Sequence, residues 1–148
     1  CTPPAVARYR SRLSGPLLDR LDLLVEVPSL DPSELRAPPD PLGSTAHLAE
    51  QVAIARSRQR ARQRGGAPVV NARLQDRSLL QACNAGEGAL HALDAVLRHH
   101  HQSGRGRVRL LRLARTLADL DDRERIEEID ILEAAALRGF TESAGTRR

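Results

Sequence analysis

A mainly α-helical chain is what this sequence predicts, on three observations. Apolar residues make up 41% of 148, mostly Leu and Ala, with one Tyr and one Phe, a composition suited to helices packed by aliphatic side chains. Beyond residue 43 these residues recur at three- and four-residue spacing, the period of one helix face. Only one short run, Leu21 to Val27 closed by Pro28, reads as a strand, apolar and β-branched enough to be buried.

Taken in order, Thr2-Pro3-Pro4 predicts a helix start, with Thr2 as N-cap and prolines in the first turn, where a missing donor costs nothing. A short helix through Arg12 follows, with Val6, Tyr9 and Leu13 spaced to face inward. Ser14-Gly15-Pro16 then breaks it, because Gly tolerates positive φ and Pro presets φ for a new first turn over Leu17 to Arg20. The strand comes next. Between Pro28 and Pro41 the chain carries five prolines, which remove donors and bias their predecessors away from helix, so residues 29–43 read as a linker. Ser44 or Thr45 caps a long helix to Arg64, stopped by Gly65-Gly66, with Leu48, Val52 and Ala55 as its buried stripe.

Four more helical segments are expected. One follows Asp76 through Leu79, Leu80 and Cys83. Another runs from Glu87 to His101 with Leu90, Leu93 and Leu97 inward, and Ser103 caps a third, the most apolar, which Asp121-Asp122 ends. The last spans Glu128 to Arg138, offering Ile129, Leu132, Ala136 and Leu137, and the tail from Gly139 is expected to be disordered. Thr45 to Arg138 should fold by itself; Cys1 to Pro28 should not, since a lone strand leaves its backbone groups unpaired.

Chemistry is bounded by what is missing. Every one of the 23 basic residues is Arg. Without Lys this sequence holds no GxxxxGK[ST] phosphate loop and no Lys nucleophile. Cys1 and Cys83 form no CxxC pair, which supports neither a zinc site nor a disulfide framework. No apolar run reaches about 18 residues, so no membrane span is expected, and the cytoplasm is the default compartment.

Polar clusters carry weaker signals. Arg56, Arg58, Arg60, Arg62 and Arg64 repeat every second residue, which spreads charge around a helix and defines no single face. They read as a solvated helix or, with a net charge of +4, as a contact for a DNA backbone, although the chain lacks aromatic platforms for stacking bases. His99, His100 and His101 point about 100° apart on a helix and cannot chelate one metal, with His91 two turns away. Asp119, Asp121, Asp122 and the carboxylates from Glu124 to Glu133 read as helix ends and solvated faces, with no acid/base pair among them.

Three stretches carry a resemblance: RYRSRLSGPLLDRLDLLVEVP around Arg10 to Pro28, the helix ending RLARTLADL, and the closing IxxIDILEAA. Together, over about Cys1 to Arg138, they resemble the C-terminal part of magnesium-chelatase-like AAA+ ATPases of the ComM (YifB) type. The first is the most specific. The resemblance implies a mainly α fold, the last helix and strand of an AAA+ α/β core followed by a helical lid bundle. On that basis residues 1–28 close the core, 29–43 link, 44–140 form the lid and 141–148 are a tail. The Walker A and Walker B elements would lie upstream, Cys1-Thr2-Pro3 is similar to the end of a cysteine-rich stretch preceding this point, and a start at Cys rather than Met suggests a fragment.

The same resemblance implies roles. Arg20 of the LLDR segment is similar to an arginine finger acting in trans on a neighbouring subunit's nucleotide; the plainer alternative is a surface ion pair with Asp19 or Asp22. Arg105 stands where the family places its sensor-2 arginine, over its own subunit's nucleotide, and at a helix N-terminus that favours phosphate. Gly104-Arg105-Gly106 departs from the family's more usual Ala before this arginine and bulkier residue soon after it, leaving Arg107 or Arg112 as alternatives. The intact protein would use ATP and Mg²⁺ in a homo-oligomeric ring, hexameric by family pattern, acting on DNA in branch migration during natural transformation; this fragment alone would bind neither ATP nor Mg²⁺. Two other functions stay open, a stand-alone helical module binding DNA or protein and a magnesium chelatase motor subunit.

Overall fold

The computed structural model of the protein describes residues 2–12, 20–25, 27–38, 40–62 and 70–139. Among them are six α-helices: α1 (Pro3–Arg10), α2 (Thr45–Ala61), α3 (Asp76–Cys83), α4 (Glu87–His99), α5 (Gly104–Leu120) and α6 (Glu128–Leu137). Short 3₁₀ turns cover Glu34–Arg36, Pro41–Gly43 and Asn71–Arg73. The mainly helical expectation holds.

Local chemistry explains most boundaries. Ser44 caps α2, its hydroxyl accepting from the His47 amide at 3.3 Å. Gln75 and Ser78 form a reciprocal capping box on α3, and Glu127 and Asp130 form one on α6, each satisfying donors that the first turn leaves without partners. Asn84 ends α3 in the left-handed region at φ 44°, a conformation Asn tolerates better than most residues. Thr2 stands at the N-cap of α1 without a side-chain hydrogen bond.

α5 is the hub. It packs against α2, α3, α4, α6 and the Asn71–Arg73 turn, while α4 and α6 also pack on each other. Its Leu110, Leu111, Ala114 and Ala118 are buried with Leu79, Cys83, Leu93, Ile126 and Ile131 in one aliphatic core. Burial pushes the Cys83 thiol up to about 11.

At the centre of that core lies a charge. The Arg115 side chain is 0% exposed, and its guanidinium donates to the carbonyls of Ala82 at 3.2 Å, Glu124 at 2.8 Å and Arg123. It also pairs with Asp119 at 2.9 Å. Asp119 in turn accepts from Arg62 and from Asn71 Nδ2, the latter at 2.7 Å. A second buried carboxylate, Asp130, accepts both guanidinium nitrogens of Arg123, at 2.7 and 2.6 Å, and the Glu127 amide.

Several expectations about facing are corrected. Val6 and Tyr9 are exposed, since no described element brings an apolar face to α1; Leu13, the Ser14-Gly15-Pro16 break and Leu17–Asp19 lie outside the described residues. The segment expected as a buried strand forms no hydrogen-bonded ladder at its described positions, and Val27 is 83% exposed. A strand needs a neighbour, and none is present among the described residues.

On α2, Leu48 and Val52 are exposed while Ala55 and Gln59 are buried. That helix meets α5 through polar and small residues: Arg58 pairs with Asp122 and Arg62 with Asp119. These two arginines, four apart, do share one face and are paired there with carboxylates, while Arg56 and Arg60 are exposed. The stop at Gly65-Gly66 and Arg64 lie outside the described residues. On α3 Leu80 is exposed, and on α4 Leu90 gives way to Ala89, Ala92 and Val96. α6 buries Asp130, Ile131, Ala134 and Ala135 and exposes Ile129, Leu132 and Ala136, because Asp130 is drawn inward to Arg123. Asp119 and Asp130, expected on solvated faces, are both 0% exposed.

Two outcomes follow from the buried ions. Arg115→Ala removes the donor to three carbonyls and one of the three partners of Asp119, and should cost about 3–5 kcal/mol in urea unfolding. Burial raises the Asp119 pKa, but Arg62, Asn71 and Arg115 outweigh it and hold the carboxyl below its ordinary 3.8. A depressed pKa gives stability that is present above the unfolded value and lost as pH falls through the folded one. Stability should therefore decline below about pH 4, more steeply than in Asp119→Asn, when followed by circular dichroism.

Candidate anion-binding site

The N-terminus of α5 has no side-chain cap and no acidic residue in its first turn to offset its positive end. Ser103 precedes it in extended backbone (φ −76°, ψ 172°). The first-turn amides and the helix dipole thus present positive potential. Arg105 stands on that turn, exposed.

Packing accounts for the small residue after Arg105, at Gly106. A Cβ there would lie 2.5 Å from Gln102 Oε1 and 3.0 Å from Gln102 Cβ. Gln102 is folded under the helix start, its Nε2 donating to the His100 carbonyl at 3.0 Å. Gly104 has nothing within 4 Å of an added Cβ, so the family's Ala fits there.

Around this turn lies a cavity of about 250 Å³ lined by Arg20, Arg105, Arg109, Arg138, Gln102 and Ser103, with Gly106 at its edge. The structure thus brings two predicted site residues together, Arg20 from the segment before the linker and Arg105 from α5. Asp22 does not pair with Arg20; it lies 3.7 Å from Arg109 and 3.9 Å from Arg138. Asp19, the other proposed partner, is outside the described residues.

Arg109 and Arg138 were missed in sequence. Arg109 is signalled only by its four-residue spacing from Arg105, and Arg138 by its place at a helix end. Arg112, the weaker alternative, is engaged elsewhere: its Nε donates to the Leu74 carbonyl at 2.8 Å. It lines a neighbouring cavity of about 560 Å³ with Gln75, Val108, Arg105 and Arg109. Among the described residues no group of three or more His, Cys, Asp or Glu side chains is placed to hold a metal ion, and no helix is long and apolar enough to cross a membrane.

The two glycines flanking Arg105 should respond oppositely to Ala. Gly104→Ala should leave thermal stability unchanged or raise it by up to about 1 kcal/mol, whereas Gly106→Ala should lower it by about 1–3 kcal/mol through displacement of Gln102.

Comparison with known proteins agrees with this architecture. Residues 43–138 match the family described as magnesium chelatase, subunit ChlI C-terminal, and residues 1–35 match magnesium chelatase, subunit ChlI. The YifB protein of Escherichia coli is 38% identical over 140 residues, 95% of this chain and 27% of that protein. The competence protein ComM of Haemophilus influenzae is 33% identical over 94% of this chain and 26% of its own length. A Mycobacterium tuberculosis protein is 34% identical over the whole chain and 28% of its own. The chain spans about a quarter of the length of these relatives. With a family match over most of its length and a helical bundle to accompany it, the chain belongs to the magnesium chelatase ChlI C-terminal family.

Proposed function

We propose that this chain is the C-terminal part of an ATP-driven AAA+ ring motor of the ComM (YifB) type, and that its α5 cavity receives the terminal phosphates of a nucleotide. The observation carrying this is the meeting of Arg20 and Arg105 on one cavity with Arg109 and Arg138. Four guanidinium groups around a helix N-terminus fit phosphoryl oxygens. At about 250 Å³ the cavity suits phosphates rather than a whole nucleotide, whose pockets run from about 300 Å³ upward. The nucleoside would be held by other residues of the ring. ATP with Mg²⁺ would supply the transferable phosphoryl group; the absence of Lys from this sequence assigns the phosphate loop to other residues.

In this scheme Arg20 stabilises charge developing on the γ-phosphoryl group, and Arg105 orients the same group. Two cations on one cavity serve one phosphate. If Arg20 acts on a neighbouring subunit's nucleotide, Arg105 acts on it too, which replaces the expected division into a trans finger and a cis sensor. Residues 1–28 would close the ATPase core, 29–43 link it, 44–140 form the lid and 141–148 the tail. The assembled protein would be a homo-oligomeric, hexameric ring working on DNA in the cytoplasm. The relative named a competence protein is compatible with a task in natural transformation, and the task we infer there is branch migration. The family description favours a second reading, a chelatase motor driving magnesium insertion into a porphyrin.

Arg20→Ala in the intact protein should lower ATP turnover by about 10³- to 10⁵-fold, the range of arginine fingers in GTPases, with folding and DNA affinity nearly unchanged. Unchanged turnover with lost DNA binding would instead favour a nucleotide-free binding module. Turnover stimulated by branched DNA rather than by porphyrin would separate the two motor readings.

A further inference from the structure

The segment carrying Arg20 is fastened to the lid at several points. The Leu24 amide donates to the Leu137 carbonyl at 2.7 Å, one of the acceptors that the end of α6 leaves without a helical partner. Arg138, its side chain 5% exposed, reaches back with Nη1 to the Leu21 carbonyl at 3.4 Å. Gly139 turns the chain at φ +73°, and a Cβ there would lie 3.3 Å from Leu24 Cδ1, so Leu24 is seated against a position that favours glycine for its backbone as well. Between these contacts Asp22 faces Arg109 on α5 and Arg138 after α6.

We propose that Asp22 is a positioning residue: it bridges Arg109 and Arg138 and thereby holds the Arg20 segment on the lid, so that Arg20 and Arg105 reach one phosphate group together. The inference rests on the anion reading of the α5 cavity. A carboxylate set between two lining arginines lowers repulsion among the four guanidinium groups while leaving Arg20 and Arg105 to face the incoming anion. It also makes the finger and the lid one moving part. Rotation of the lid would carry Arg20 with it, and any shift of the Arg20 segment would be felt at the start of α5.

The test uses the 148-residue chain. Amide exchange at Leu24, followed by NMR, reports docking without any ligand; inorganic triphosphate, titrated by calorimetry, reports the cavity. Asp22→Asn should speed Leu24 exchange about three- to tenfold, the scale of two exposed ion pairs, and Asp22→Glu should restore protection. In the Asp22→Asn background Arg20→Gln should no longer weaken triphosphate binding, although in the unmodified chain it does. Unchanged Leu24 exchange overturns the proposal. So does an Arg20 share of affinity that survives Asp22→Asn, since a carboxylate acting only through its charge would raise affinity and leave that share intact. If neither Arg20→Gln nor Arg105→Gln alters triphosphate binding in the unmodified chain, the anion reading falls, and Leu24 exchange still decides whether Asp22 docks the segment.

Discussion

Everything in the bundle hangs on the buried guanidinium of Arg115. It lies inside an aliphatic core yet spends its donors on carbonyls at the end of α3 and in the loop between α5 and α6, and on Asp119 one turn along its own helix. These are part-buried carbonyls at a helix end and in a loop, and leaving them without a donor would cost free energy comparable to the bonds themselves. Burial draws the Arg115 pKa down and Asp119 holds it up; guanidinium is the group that stays charged under such conditions. The guanidinium therefore ties two segments, the end of α3 and the loop after α5, to the hub helix.

From Asp119 the same network reaches outward through Arg62 to α2 and through Asn71 to the turn before α3. A parallel arrangement at Asp130 pins α6 by way of Arg123, whose pKa is raised by its hydrogen bonds to Asp130 and Asp121. Arginine is suited to this work because its planar fork serves several acceptors at once, which an ammonium does less well. The all-arginine composition is thus partly structural. Arg58, Arg62, Arg112, Arg115 and Arg123 hold elements together, and Arg20 and Arg105 line an open cavity instead.

The helices themselves were readable from sequence because their causes are local. Caps at Ser44 and near Asp76, the turn at Asp121-Asp122 and three- to four-residue apolar spacing act within a few residues of the backbone they shape. The specific LLDR stretch and the closing helix likewise pointed to the family. Facing was another matter: Ile129 and Leu132 are as apolar as Ile131, and only Asp130's attachment to Arg123 turns α6 so that the latter is inside.

The sequence by itself determined the number and order of the helices from residue 44 on, the lack of lysine chemistry and the singling out of two of the four arginines that line the cavity at the start of α5. Tertiary structure decided which arginines are committed to carboxylates and which remain open, because those partners lie far along the chain: Arg62 and Asp119 are 57 residues apart, and Arg58 and Asp122 are 64. It also decided that Arg20 and Arg105 share a cavity, through Asp22 and the end of α6. A cap or a helix face is set by neighbours in sequence, whereas the standing of a charge is set by whatever the fold brings beside it.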